Sequence, residues 1–211
     1  QKAMAEGFTN EGCVDGKIRF LQNVMGMWLL EESRKIWADQ NLATEYHTLF
    51  AKAAAVKPFQ TFLNPDYQGF FNPANMIAAI DHYCRENDRQ TPQNPADTTR
   101  AILESLALKY RSVIEKLHRY RTQPIDRVHI VGGGSQNRLL NQVTANATGL
   151  KVIAGPVEAT AVGNIIMQAI AAGEIANLQE AREIVKNSIN VTEYQPQNYL
   201  HWNHYYYKFF K

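Results

Sequence analysis

The chain has 211 residues, of which 45% are hydrophobic and 20% charged, with a formal net charge of +2. That length can bury a sizeable core as one large domain or as one lobe of a bigger enzyme, and the composition is that of an ordinary globular protein. So small a net charge argues against a nucleic-acid or membrane-surface partner, no apolar run is long enough to span a bilayer, and no signal-peptide segment is visible. Cys13 and Cys84 are far apart in sequence. Two such thiols point to a reducing cytoplasm rather than a disulfide, and no Cys or His spacing suggests a metal site.

Phe8 to Leu21 reads as a β-hairpin. Asp15-Gly16 is a turn dipeptide suited to positive φ at both central residues, with Ile18 and Phe20 facing one way and Lys17 and Arg19 the other. The spacing of Val24, Met25, Trp28, Leu29, Glu32 and Ile36 then predicts an amphipathic helix. A second helix is expected over Thr44 to Val56, followed by a proline-bounded loop from Pro58 to Pro73 with an extended piece at Thr61 to Leu63. Pro73 suits the first position of a helix running to Glu86. Asp97 is the expected cap of the longest helix, whose stripe is Ile102, Leu106, Tyr110, Val113, Leu117 and Tyr120, and Pro124 ends it.

From there the pattern changes to strand, turn and helix. Arg127 to Val131 is a short β-branched run, Gly132-Gly133-Gly134 is the turn, and Ser135 is placed to cap a helix through Thr148 that Gly149 closes. Lys151 to Ala154 is a second strand, and a second helix follows from Ala159 to Ala172, closed by Gly173. Two such units in tandem predict parallel strands with helices packed on them. The aromatic tail after Asn187 is read as irregular.

The chemistry concentrates in VHIVGGGSQN, Val128 to Asn137. Consecutive glycines after a buried strand let the backbone approach a ligand that a Cβ would hold off, and the following helix offers free N–H groups there. A nucleotide fits such a place. A triple-glycine turn also serves as a tight connection without any ligand, and composition leaves both readings open. The run lacks the Gly-Lys-Ser/Thr of a Walker loop, and Asn137 stands where a GxGxxG spacing would need glycine.

GGGSQN in this setting resembles the adenosine motif of the FGGY carbohydrate kinases, within the actin-like ATPase superfamily. GFTNEGCVDGKIRFLQNVMGMWLLEE, FLNPDYQGFFNPANM and VHIVGGGSQNRLLNQVTANATGLKVIAGPVEATAVGNI extend the likeness over nearly the whole chain. The last block resembles the rhamnulokinase branch in particular. The resemblance implies an α/β, ribonuclease H-like lobe in which a mixed sheet carries flanking helices. It further implies that residues 1–211 are the C-terminal, nucleotide-binding lobe of a two-lobe kinase that phosphorylates L-rhamnulose with ATP and Mg²⁺.

Carried over by position, Gly133 would lie against the nucleotide, with Gly132 and Gly134 shaping the turn and Asn137 nearby. Asn23 matches a position that hydrogen-bonds the sugar. Glu31 matches a position near ATP where another family member has glutamine. A carboxylate accepts from a ribose hydroxyl or adenine amine but repels phosphate, which would place Glu31 at the base or sugar end. A solvated helix-face glutamate is the other reading. Ala161 and Gly163 suit close packing of a helix behind the nucleotide, or packing alone. Thr9, Asn10 and Glu11 suit a sugar cleft or simply a polar strand end. The HWNHYYYKFFK tail is read as folding back onto helices rather than stacking on nucleotides.

In this family the catalytic base is an aspartate in a His-Asp-Thr element, and no aspartate here matches it. The base and the glycine-rich phosphate hairpin are therefore expected in an N-terminal lobe outside this sequence, and the chain alone is expected to be inactive. Without that hairpin the sheet should be incomplete, leaving strand edges open to another chain. Two other classes compete with this reading. A dehydrogenase or methyltransferase would need an acidic residue ending the second strand, where Gly155-Pro156 stands instead. The alternatives are the lobe of another sugar or polyol kinase of the same family, or a non-catalytic nucleotide-binding module when the chain is isolated.

Overall fold

The computed structural model describes residues 2–210. It divides into two compact units, one running to Pro124 and resuming at Tyr205, the other covering Ile125–His204.

The first unit opens with α1 (Lys2–Ala5) and an antiparallel hairpin of β1 (Phe8–Gly12) and β2 (Ile18–Gln22). Asp15 and Gly16 take φ values of 59° and 65°, and the Lys17 N–H closes the turn on the Val14 carbonyl, as the dipeptide predicts. Phe8 and Phe20 stack at 4.7 Å, and both rings meet Tyr120 at 5.7 Å. Ile18, which faces the same way as Phe20, is 67% exposed because the hairpin's far end leaves these rings behind.

Four longer helices follow: α2 (Trp28–Asp39), α3 (Tyr46–Ala55), α4 (Met76–Glu86) and α5 (Pro95–His118). α2 starts at Trp28 rather than Val24, since Gly26 weakens a helix there, and it buries Leu29, Leu30, Ser33 and Trp37. α4 is capped by Asn75, whose side chain accepts the Ala78 N–H, so Pro73 lies outside the helix it was expected to open. The cap of α5 also differs from the expectation. Asn94 accepts the N–H groups of Ala96 and Asp97 at 2.9 and 3.0 Å. Pro95 occupies the position where a missing N–H costs nothing, and Asp97 answers by accepting from Asn94. Asn94→Ala should therefore lower the unfolding free energy by about 1 kcal/mol in urea denaturation, with Asp97→Ala costing less.

α5 forms the core of this unit. Ala101, Ile102, Leu103, Leu106, Ala107 and Leu108 are all buried, more than one stripe can account for, so the helix is surrounded. The irregular segment before α4 supplies part of that surround. Phe62, Leu63 and Phe70 are wholly buried there, so the backbone beside them needs partners away from water. Side chains provide them: Ser105 Oγ accepts the Leu63 N–H, the Tyr83 hydroxyl accepts the Asn64 N–H, and Arg89 donates to the Phe62 carbonyl.

The second unit is a mixed three-stranded sheet. β3 (Arg127–Ile130) pairs in parallel with β4 (Lys151–Ala154), and β4 pairs antiparallel with β5 (Thr192–Tyr194). α6 (Arg138–Thr148) packs on β4 and β5, with Leu140 and Val143 among its buried residues. α7 (Ala159–Ala171) and α8 (Leu178–Ser188) complete the unit, before α9 (Tyr199–Phe209) ends the chain. Neither α8 nor β5 was expected, and α9 replaces the irregular tail. Within the first unit, α9 stacks Tyr205 on Phe59 at 4.3 Å and sets Tyr206 under Arg111 at 4.1 Å, so these rings do fold back onto protein.

α7 departs from its expected role. It carries no charged side chain, yet none of its residues is buried, and Ile165 is 66% exposed. A Cβ at Gly163 would meet nothing within 4 Å, so neither it nor Ala161 packs closely here. β3 meanwhile has a neighbour on one side only. The hairpin and the three-stranded sheet are separate among the described residues, in keeping with an incomplete sheet.

Candidate functional site

The glycine turn begins where β3 ends. Gly132 takes φ 73°, donates its N–H to the Pro156 carbonyl at 2.9 Å, and accepts at its own carbonyl from both the N–H and the hydroxyl of Ser135. A single turn of tight helix over Gly133–Gln136 follows. Ser135 therefore locks the turn instead of capping α6. That cap is Asn137, whose Oδ1 accepts the Leu140 N–H at 3.0 Å. Asn141, one helical turn further on and fully buried, donates Nδ2 to the Ser135 carbonyl at 2.8 Å.

The three glycines are not equivalent. Gly132 needs its φ, which an L-residue adopts only under strain. Gly133 and Gly134 do not have positive φ. A Cβ on Gly133 would meet nothing within 4 Å, and one on Gly134 would only touch Ile130 at 3.7 Å. Neither of their N–H groups has an acceptor among the described residues. The protein itself thus has no use for the bareness of Gly133. Close by, the Nδ2 of Asn137 is buried without a partner, a costly state unless something else accepts from it.

Beside the turn lies a cavity of about 520 Å³, at the C-terminal end of β4. Ser135, Gln136, Arg138, Glu158, Asn190 and Tyr194 are among the residues that line it. Crevices at the C-terminal ends of parallel strands are where ligands bind in open α/β sheets.

The structure brings Gly132, Gly133, Gly134 and Asn137 together in the second unit, while Asn23 and Glu31 belong to the first. Asn23 is exposed on the connection between β2 and α2. Glu31, in the first turn of α2, pairs with Arg34 at 2.9 Å, and Arg34 also donates to the Thr44 carbonyl and covers the Tyr46 ring at 3.9 Å. The carboxylate is thus already engaged by a cation. Glu11 likewise pairs with Arg19 at 2.7 Å. No group of three or more His, Cys, Asp or Glu side chains among the described residues is placed to hold a metal, and no helix is long and apolar enough to cross a membrane. Sequence reasoning missed Asn141. Its only signal was the four-residue spacing from Asn137, which puts both on one side of a helix.

Residues 1–172 match the model of the FGGY family of carbohydrate kinases, C-terminal domain. A rhamnulokinase of Bacteroides thetaiotaomicron is 46% identical over 199 residues, 94% of this chain and 40% of the relative. One from Bacillus subtilis is 39% identical over 93% of this chain and 40% of the relative. The chain therefore spans about two fifths of the length of these curated relatives. Among solved structures, xylulose kinase from Rhodospirillum rubrum covers 96% of this chain and 41% of its own, with a TM-score of 0.65 at 17% identity, which speaks to fold alone. With the glycine turn, its strand and its helix all inside the matched residues, this chain belongs to the FGGY family of carbohydrate kinases.

Proposed function

We propose that these 211 residues are the nucleotide-binding lobe of an ATP-dependent kinase that phosphorylates L-rhamnulose at its primary hydroxyl, giving L-rhamnulose 1-phosphate in the cytoplasm. The observation that carries the nucleotide half is the bareness of Gly133, which the fold does not require and a closely approaching ligand would. The unpartnered Asn137 Nδ2 and the two free N–H groups supply donors to such a ligand. The sugar half rests on relatives that are named rhamnulokinases.

In this reading Gly132 fixes the turn, Gly133 and Gly134 admit the nucleotide, Asn137 lies beside it, and Asn23 contributes to the sugar site. Glu31 reaches base or ribose only by sharing its carboxylate with Arg34. ATP supplies the transferred phosphoryl group, and Mg²⁺ neutralises its phosphates. The described residues offer no acidic cluster for that ion, so no residue of this chain is assigned to it. The base that takes the sugar's proton belongs to the remainder of a longer polypeptide. That remainder would also cover the bare apolar flank of α7 and the open edge of β3, since a helix apolar nearly all round is normally buried.

Calorimetric titration of this chain with ADP tests the reading. The expected result is saturable binding without sugar phosphorylation, and a chain that leaves ADP unbound would remove the nucleotide assignment. A kinase assay on the longer polypeptide, with L-rhamnulose against xylulose and glycerol, decides the sugar.

A further inference from the structure

We infer that Asn141 is a positioning residue for the nucleotide turn, holding it from beneath through one hydrogen bond. This rests on the nucleotide reading above. The turn's other ties run among its own residues and to the Pro156 carbonyl, and they leave the Ser135 carbonyl to be fixed. Asn141 Nδ2 fixes it at 2.8 Å from a wholly buried site on α6. The direction of that carbonyl sets the peptide plane with which the turn hands over to Gln136. Gln136 and Ser135 in turn line the cavity beside it. A donor is required at Asn141, because a carbonyl accepts and cannot give. The other end of the carboxamide, Oδ1, is buried with no partner, so folding alone does not account for an amide at this position.

Asn141→Asp tests this with a readout a merely structural role would not move. The ionised carboxylate has no proton to give and faces the Ser135 carbonyl with like charge, whereas the protonated acid regains an O–H donor. α6 packs on β4, β5 and the glycine turn. Their charged or titratable side chains are Lys151, Glu193 and Tyr194, with Arg138 on α6 itself and no histidine among them. Lys151 and Glu193 already pair with each other at 3.2 Å.

ADP affinity of the variant, relative to the unaltered chain at each pH, should be down about 10- to 100-fold at pH 8, the loss expected for a buried hydrogen bond left unmade. It should recover to within roughly threefold by pH 5.5, as the introduced carboxyl takes up its proton. Asn141→Ala should show the loss at every pH, so the inference stays testable if the aspartate variant does not fold. Thr144→Val removes a hydroxyl that is buried without a partner one turn along the same helix, and should bind ADP as the unaltered chain does. If Asn141→Ala binds ADP normally, or the aspartate variant's deficit is the same at pH 5.5 and pH 8, Asn141 is only packing. If the unaltered chain does not bind ADP, the nucleotide reading falls and this inference with it.

Discussion

Gly133→Ala should weaken ADP binding by about 10- to 100-fold, the penalty of forcing a methyl group into a fitted contact, and leave thermal stability unchanged. The two halves of that result have separate causes. In the free protein a Cβ at Gly133 finds nothing within 4 Å, and its φ is not one that only glycine tolerates. Folding therefore loses nothing, and the stiffer alanine even narrows the unfolded ensemble. In the complex the same methyl occupies the space through which the nucleotide approaches the backbone. Gly132→Ala makes the contrast, since its φ of 73° strains any L-residue, so stability and binding should fall together. Gly134→Ala should lie between, its Cβ resting 3.7 Å from Ile130. Calorimetry with ADP and a melting curve on the three variants suffice. If the turn were only a tight connection, Gly132 alone would matter and Gly133→Ala would bind ADP normally.

That distinction could be read only partly from sequence. Strands β3 and β4 were legible because β-branched runs bounded by glycine are local signals, as were the helix-closing Gly149 and Gly173, whose φ values are 70° and 78°. The start of α4 and the caps of α5 and α6 all fall on an asparagine: Asn75 where Pro73 suits the first helical position, Asn94 where Asp97 suits the cap, and Asn137 where Ser135 does. In each case several residues nearby suited the helix start, and the choice depends on where the incoming chain turns. β5 has three residues, too few for any periodicity, and exists because β4 offers it an edge. α8 should have been found, since Asn177 caps it through the N–H groups of Gln179 and Glu180 and its apolar residues are regularly spaced. The apolar sequence of α7 predicts a helix packed on the sheet, yet none of its residues is buried, because burial depends on neighbours that the helix's own sequence does not name. At the site, the glycines and Asn137 are contiguous and so were visible. The Arg34 pairing of Glu31 is an i,i+3 contact within α2, a spacing visible in the sequence wherever the helix begins.

Arg100→Met should destabilise the chain by about 3–5 kcal/mol at pH 7, the cost of stranding one member of a buried ion pair, and the loss should shrink as the solution is acidified. Glu104 is wholly buried in α5, and its carboxyl is held above the ordinary carboxylate range by that burial, with Arg100 pulling the other way. Arg100 Nε lies 2.5 Å from one oxygen, and the Phe59 N–H meets the other at 2.9 Å. Removing the guanidinium leaves burial almost unopposed, so the folded-state value climbs further from the unfolded one. Between those two values the folded chain binds the extra proton. Stability of the variant must therefore rise as pH falls through that window and decline as pH rises through it. Urea denaturation of variant and parent from pH 5 to 8 gives the difference directly, free of groups common to both. Adding Glu104→Gln to Arg100→Met should restore most of the loss and flatten its pH dependence, because the amide keeps an acceptor for Phe59 without a charge to bury. That acceptor matters beyond α5: Phe59 sits at φ 63°, and its ring stacks on Tyr205. A deficit in Arg100→Met that is the same at pH 5 and pH 8 would mean that the guanidinium acts through packing and not through the charge on Glu104.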